Sequence, residues 1–104
     1  MASIGYVETR SALGALARDG RLRGSRGGRA RLELERIWRD LNVVQLDDHL
    51  LSLSGDAAVF SRLRAGDAIH LASAVVLADP DLVLATWDRD LGRAARDTGL
   101  AVAP

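Results

Sequence analysis

The sequence predicts an α/β fold built on a mainly parallel sheet. Two observations lead to this prediction: short apolar segments of strand length alternate with longer segments of helical periodicity, and one short segment, LVLAT (82–86), is apolar throughout. A continuous apolar strand is typical of a parallel sheet that is covered on both faces. The chain has 104 residues and no internal repeat, so we expect a single domain over 1–104.

The first quarter of the chain is predicted to hold one helix between two irregular segments. MASI (1–4) is expected to be a short extended segment, and the apolar spacing of 5–18 predicts a helix that ends at Asp19-Gly20. The glycine- and arginine-rich segment 21–29 is predicted to be a mobile connection.

Two helices and a strand are predicted in the middle of the chain. A helix over 29–41 follows from apolar residues at the i, i+3, i+4, i+7 spacing of one face, namely Leu34, Ile37, Trp38 and Leu41. NVVQL (42–46) is rich in β-branched residues and has strand length. Asp47 or Asp48 can cap the next helix, on which four apolar residues share a face: Leu50, Leu53, Ala57 and Phe60.

The last third alternates between helices and strands. Residues 68–78 are apolar on all sides, which predicts a buried helix. After a turn that contains Pro80, LVLAT forms the apolar strand. Residues 88–99 form a short helix closed by Gly99, and LAVA (100–103) is the final strand.

Composition and charge exclude some function classes and favour others. The chain has no cysteine, so disulfides and thiolate metal sites are excluded. No apolar run could span a bilayer and no signal peptide is recognisable, so we expect a cytoplasmic protein without a membrane partner. Residues 10–39 hold nine arginines and three acidic residues, whereas 40–104 hold five arginines and ten acidic residues. The first region can attract a polyanion and the second presents clustered carboxylates, although the arginine-rich loop can equally be an ordinary solvated loop.

Four acidic residues are candidates for a functional site: Glu8, Asp67, Asp88 and Asp90. Ligands of open parallel sheets bind beyond the carboxyl ends of the strands, and Asp88 lies two residues past LVLAT. Glu8 follows the first extended segment, and Asp67 stands at the head of the helix that leads into LVLAT. Carboxylates at one sheet edge would bind Mg²⁺ or Mn²⁺, and these ions promote phosphodiester hydrolysis.

Structural roles are also open for these residues and their neighbours. Asp67 could simply cap its helix, one of Asp88 and Asp90 could cap the next, and Glu8 could be an ordinary surface acid. His70 is expected to be a satisfied core histidine. The two tryptophans, Trp38 and Trp87, are expected to pack in the core or at its rim. No P-loop, GxSxG or HExxH motif proposes another chemistry.

Three segments resemble the PIN-domain family, and within it the VapC-like toxins of bacterial type II toxin–antitoxin systems. They are ASIGYVETRSAL (2–13), RLRAGDAIHLASAVVL (62–77) and DLVLATWDRDLGRAARDTGLAVAP (81–104), so the resemblance covers nearly the whole chain. GDAIHLASA followed by TWDRDL is the more specific combination, and the segment around Glu8 is weaker by itself.

The resemblance implies a fold, an activity and a set of site residues. The fold would be a three-layer α/β/α sandwich, and the activity Mg²⁺- or Mn²⁺-dependent endoribonuclease action. Glu8, Asp67 and Asp88 match three of the family's four core carboxylates, and Asp90 would be an auxiliary metal ligand. Thr86 would hold the site residues in place without binding the metal ion. A cognate antitoxin and a homodimer are the partners that the resemblance implies besides RNA.

The chain departs from the family at its beginning. Members of the family open with an apolar strand that ends in an aspartate, and this sequence contains neither, so we expect an N-terminally truncated domain. A misassigned start codon, a decayed gene or completion of the fold by another chain would each explain the departure; the first two are favoured, because nothing in the sequence shows adaptation to the loss.

Two further functions remain open beside the ribonuclease. The absent fourth carboxylate is compatible with a catalytically inactive module that binds an antitoxin or a second copy of itself. The arginine-rich region is compatible with RNA binding without catalysis, which steep salt dependence and independence of metal would reveal.

Overall fold

The computed structural model describes all residues of the chain, 1–104, as five helices and two strands. In chain order these are α1 (Ile4–Arg18), α2 (Ser25–Asp40), α3 (Asp48–Phe60), α4 (Ala65–Leu77), β1 (Val83–Ala85), α5 (Arg89–Asp97) and β2 (Ala101–Ala103). β1 and β2 pair in parallel, with Val83 opposite Ala101 and Ala85 opposite Ala103. The mixed α/β class and the parallel pairing are thereby confirmed, whereas a three-layer arrangement stays a prediction.

The chain divides into two compact units. Ser3–Val43 contains α1 and α2 and is called here the arginine-rich unit, while Met1–Ala2 and Val44–Pro104 form the sheet unit. None of the five helices combines the length and apolar character needed to cross a lipid bilayer.

In the arginine-rich unit, α1 and α2 pack through an aromatic pair. The rings of Tyr6 and Trp38 lie 5.4 Å apart at 58°, a tilted geometry that aromatic side chains favour. The Tyr6 hydroxyl donates a hydrogen bond to Glu35 Oε1. The Arg10 guanidinium lies 5.8 Å from the centre of the Tyr6 ring. Trp38 therefore packs as the sequence predicts, but Ile37 is 46% exposed and does not belong to the packed face.

Segment 21–29 is predicted to be a mobile connection, but its second half, from Ser25 onwards, belongs to α2. The prediction is therefore wrong for residues 25–29. α2 begins at Ser25 rather than 29, directly after Gly24, whose φ of +58° is a conformation that glycine adopts without steric cost. Arg21 closes α1, because its N–H donates to the carbonyl of Leu16 at 2.9 Å. The irregular connection is therefore only a few residues long.

The core of the sheet unit joins α4 and α5. One buried cluster contains Leu63, Ala68, Leu71, Leu91, Ala94 and Ala95, and Leu84 of β1 and Val102 of β2 pack against it. The cluster joins the second turn of α4 to the apolar face of α5, whereas the first residues of both helices, Ala65 and Arg89, are exposed.

α4 is buried over its first turns only, which corrects the expectation of a fully buried helix over 68–78. Ala68, Leu71 and Ala72 are buried, but Val75, Val76 and Leu77 are 44%, 39% and 45% exposed. The last turn extends past the cluster, so its apolar side chains meet solvent.

The predicted strand at 42–46 is reduced to one bridge. Val44 pairs in parallel with Ala2, and its N–H donates to the carbonyl of Met1 at 2.8 Å. The remaining residues of this segment have no strand partner, because a ladder forms only where two extended segments run side by side.

α3 begins as predicted, and Asp47 is its cap: Oδ1 accepts a hydrogen bond from the Leu50 N–H at 2.8 Å. Leu50 is buried, but Phe60 is 88% exposed, so the expectation that both share a core face is wrong. Phe60 is the last residue of the helix and stands at the margin of the buried face. It lines a groove of about 210 Å³ together with residues of α3 and α4, among them Leu53, Leu71 and Val75.

Candidate active site

Asp88 is held by hydrogen bonds on both sides of the loop between β1 and α5. Its backbone N–H donates to Thr86 Oγ1 at 3.0 Å, and its Oδ1 accepts from the Leu91 N–H at 2.9 Å. Asp88 is thus the N-cap of α5, as one of the two sequence alternatives had it. The cap uses only one carboxylate oxygen, so the other can bind a further group in this exposed position.

Thr86 connects the sheet to this loop. Its N–H donates to the carbonyl of Ala103 at 2.7 Å, which continues the pairing of β1 and β2 by one residue. Its hydroxyl oxygen then fixes the N–H of Asp88. These two bonds fix the Asp88 backbone, and the supporting role that the family resemblance implies for Thr86 stays a prediction.

Asp67 lies in the first turn of α4 but does not cap the helix. The N-cap residue is Arg64, in extended conformation and without a side-chain cap bond, so the capping explanation of Asp67 is wrong. Capping requires a position before the first helical residue, and the helix already begins at Ala65. The half-buried Asp67 carboxylate instead lies near the positive end of the helix dipole, where negative charge is favourable.

α4 and α5 each contribute a residue near their beginnings to the buried cluster of the sheet unit. Ala68, next to Asp67, and Leu91, three residues after Asp88, both belong to that cluster. Because both helices are anchored there by buried residues, the backbones of the two candidate carboxylates are fixed relative to one another.

The other two candidate acids are exposed. Asp90 follows in the first turn of α5 and faces Arg93, with 4.0 Å between Oδ1 and the guanidinium nitrogen. Glu8 lies on α1, in the arginine-rich unit, and takes part in an interaction with another residue. The structure thus keeps Asp67, Asp88 and Asp90 in one unit and Glu8 in the other.

Within neither unit do three or more histidine, aspartate or glutamate side chains converge as metal ligands would. The donor chemistry nevertheless fits a hard divalent cation, since Asp67 makes no cap and the Asp88 cap engages only Oδ1. The metal ligands named from the sequence therefore stay a prediction.

The aromatic residue of this loop is not where the sequence predicts it. Trp87 is 89% exposed, so the expectation of core or rim packing is wrong for this residue. Its neighbours Thr86 and Asp88 are held by hydrogen bonds, so the backbone around Trp87 is fixed with the ring in solvent. No periodic signal could reveal this, because a three-residue loop has no face pattern. His70 is half-buried on α4 and not part of the buried cluster, so it is not a core histidine; it has an interaction partner, and its structural role stays a prediction.

The two units carry opposite net charge. The arginine-rich unit has nine arginines and five acidic residues, a net charge of +4, and the sheet unit has five arginines and nine acidic residues, a net charge of −4. The sign of its net charge makes the first unit compatible with a polyanion, and that of the second, in which Asp67 and Asp88 lie, makes it compatible with cations.

Two curated proteins are similar to the chain over nearly its whole length. Ribonuclease VapC45 of Mycobacterium tuberculosis (strain CDC 1551 / Oshkosh) is 40% identical over 101 residues, which are 97% of this chain and 70% of the relative. Ribonuclease VapC49 of the H37Rv strain of the same species has the same identity and coverage. No protein-family model matches the chain, and no solved structure matches it.

Proposed function

Because the chain belongs to the family of VapC ribonucleases, we propose that it is a toxin-type endoribonuclease that hydrolyses RNA phosphodiester bonds with a bound Mg²⁺ or Mn²⁺. The observation that carries the proposal is the pair of carboxylates at the beginnings of α4 and α5. Asp67 and Asp88 extend from helices anchored in one buried cluster, and neither carboxylate is fully used in capping.

In this proposal, Asp67 and Asp88 hold the divalent ion and Asp90 is an auxiliary ligand, while Glu8 stays the third acid that the family resemblance implies. When bound, such an ion neutralises phosphate charge and makes a water molecule more acidic. Asp88 keeps its orientation through the Leu91 N–H and through Thr86, so its free oxygen need not reorganise when the ion binds.

The charge of the arginine-rich unit supports RNA as the substrate. Its net charge of +4 is of the sign that neutralises phosphates, and guanidinium groups suit phosphate oxygens in geometry. A cognate antitoxin and a second copy of the chain are further partners in this proposal. A cytoplasmic location and a three-layer α/β/α arrangement of PIN type also belong to it.

Cleavage of RNA by the purified chain tests the proposal. We expect labelled single-stranded RNA to be cut in the presence of Mg²⁺ or Mn²⁺ and to stay intact with a chelator. Asp67→Asn and Asp88→Asn should each reduce the rate about 100-fold or more, because the charge stabilisation that such an ion supplies amounts to several kcal/mol.

Asp97→Asn is the matched control, since Asp97 is an exposed acid at the other end of α5. The Asp97→Asn variant should cleave RNA at the same rate as the unchanged chain. Cleavage that persists with the chelator, or survives both Asp67→Asn and Asp88→Asn, would contradict the metal-dependent mechanism. A chain that binds Mn²⁺ with no cleavage under any condition would instead be an inactive binding module.

A further inference from the structure

Trp87 is an exposed aromatic side chain in the loop between β1 and α5, whose backbone is fixed by hydrogen bonds. It is 89% exposed, more than any other large apolar residue of the chain, yet the residues on either side are fixed. The Thr86 N–H donates to Ala103 at 2.7 Å, and the Asp88 N–H donates to Thr86 Oγ1 at 3.0 Å. The fold therefore holds the indole in solvent, and its exposure does not come from a frayed end.

The Trp87 ring has no aromatic or cationic partner within the chain. The ring pair of the structure is Tyr6 with Trp38, and the ring with a guanidinium nearby is that of Tyr6. Both faces of the Trp87 indole are thus available to another molecule. A single exposed apolar residue is common on protein surfaces, so its neighbours decide what the ring can bind.

Those neighbours are a candidate catalytic carboxylate and an unpaired cation. Asp88 follows Trp87 directly, and Arg89 follows Asp88 in the first turn of α5. Arg89 is exposed and takes no part in the ion pairs of the sheet unit, whereas Arg93, one turn on, faces Asp90 and the carbonyl of Ser61. Three consecutive residues therefore present an aromatic plane, a carboxylate and a free guanidinium.

We propose that Trp87 stacks on a base of single-stranded RNA and that Arg89 pairs with a neighbouring phosphate, so that both position the strand beside Asp88. The inference deepens the proposed ribonuclease function and rests on it. Every base has a π-face, so stacking on an indole binds single strands with little sequence preference. RNA matches both the ring and the guanidinium, whereas an apolar protein surface would match Trp87 and leave Arg89 without a partner.

The two tryptophans allow a direct test by fluorescence. In Trp38→Phe, the emission comes from Trp87 alone, and an oligoadenylate of about ten nucleotides, the size of a single-strand binding site, should quench it. In Trp87→Phe, the emission comes from Trp38, which packs on Tyr6, and the same RNA should leave it nearly unchanged. A chelator keeps the RNA intact during the titration.

Variants at the two positions separate stacking from apolar contact and from charge. Trp87→Ala should weaken binding about tenfold or more, the range for removal of one stacking side chain, and Trp87→Leu should behave like Trp87→Ala because it lacks a π-face. Trp87→Phe should retain most of the affinity. Arg89→Gln should lower the slope of log affinity against log salt by about 0.7, the value for one phosphate contact on a single strand, and Trp87→Ala should leave that slope unchanged.

Unquenched Trp87 emission at saturating RNA, or equal RNA affinity of Trp87→Ala and the unchanged chain, overturns the inference. So does a Trp87→Leu variant that binds as tightly as Trp87→Phe, since that result indicates an apolar protein contact. If Trp38→Phe does not fold, the difference in emission between the unchanged chain and Trp87→Phe reports the same quenching. Failure of the proposed function gives a different result, namely RNA that quenches Trp87 but is never cut with Mg²⁺ or Mn²⁺.

Discussion

The hydroxyl oxygen of Thr86 accepts a hydrogen bond from the backbone N–H of Asp88 at 3.0 Å. Thr86 is at the same time bonded to the sheet, because its own N–H donates to the carbonyl of Ala103 at 2.7 Å. One residue thus transmits the position of the parallel strands to the carboxylate that begins α5. Loops that are fixed in this way keep a charged group oriented before its ligand arrives.

Removal of the Thr86 hydroxyl should impair the site more than the fold. Thr86→Val keeps the shape and the backbone bond to Ala103 but loses Oγ1, so we expect a loss of about 1 kcal/mol in the free energy of unfolding. We expect a clear fall in the rate of RNA cleavage, measured at saturating substrate. Thr86→Ser retains the hydroxyl and should restore most of that rate; equal rates for Val and Ser would show that the Asp88 N–H needs no fixed acceptor.

The capping and catalytic roles of Asp88 can be separated. Asp88→Asn keeps an oxygen that can accept from Leu91 N–H, so its thermal unfolding should differ little from that of the unchanged chain, although cleavage should be lost. Asp88→Ala removes both functions and should cost about 1 kcal/mol of stability in addition. If Asp88→Asn unfolds as readily as Asp88→Ala, the cap depends on charge rather than on hydrogen bonding.

Substitutions just after α3 and just after α5 should change the free energy of unfolding in opposite directions. Arg62 follows α3 with a φ of +54°, and Gly99 follows α5 with a φ of +90°. In both cases the N–H of the next residue donates a hydrogen bond back to the helix, from Leu63 to the Ala58 carbonyl and from Leu100 to the Ala95 carbonyl. Arg62→Gly should therefore stabilise the sheet unit by about 1 kcal/mol, and Gly99→Ala should destabilise it by about 1 kcal/mol.

Urea unfolding curves of the two variants measure these changes. The sign is the decisive result: a destabilised Arg62→Gly variant would indicate that the arginine side chain contributes more than its left-handed backbone costs. A stable Gly99→Ala variant would indicate that α5 can end in another way.

Leu71 should be among the costliest truncations in the sheet unit. It is 1% exposed and belongs to the cluster that anchors α4 and α5, so Leu71→Ala should reduce the free energy of unfolding by about 2–5 kcal/mol. Val59→Ala on α3 is the control, since Val59 is 79% exposed and should change stability by no more than about 0.5 kcal/mol. A loss below about 1 kcal/mol for Leu71→Ala would mean that the cluster collapses around the vacancy.

Glu33 and Arg36 predict a local pH effect on α2. The hydrogen bond and the charge of Arg36 hold the pKa of Glu33 below its ordinary value, and the pair is exposed, with Arg36 Nη2 2.6 Å from Glu33 Oε1. Because the pKa of Glu33 is lower in the folded chain than the ordinary glutamate value of about 4.3, the pair stabilises the helix at pH values above about 4.3. This contribution is lost as the pH falls through the lower, folded pKa of Glu33. In Arg36→Gln, a carboxyl NMR titration should show the pKa of Glu33 returning upwards. An unchanged pKa would exclude Arg36 as the cause.

Much of the local structure follows from the sequence. The Leu34 and Trp38 periodicity predicts α2, the continuous apolar LVLAT predicts β1, and glycine at 99 predicts the end of α5. Sequence reasoning also provides two candidate capping acids at the head of α5, of which Asp88 is the cap. These signals are local, because each depends on spacing or conformational preference within one or two turns of chain.

Several errors have one cause. Phe60 and Val76 have the apolar character of core residues, and Trp87 has it too, but the structure leaves all three largely or partly exposed. Hydrophobic spacing says which residues can be buried and not which neighbour covers them. The position of a helix start is equally sensitive, since α4 begins at Ala65 and so moves Asp67 from the capping position into the first turn.

The sequence by itself determined the α/β class, the order of the five helices and the last two strands, and the identity of the candidate acids, because periodicity, turn residues and residue chemistry are properties of the chain. Only the tertiary structure decided that Asp88 uses one oxygen as a cap, that Thr86 ties it to the sheet, and that Trp87 stands in solvent beside it. Those features depend on which backbone groups and buried faces meet across the fold, and such meetings are fixed by packing between segments distant in sequence.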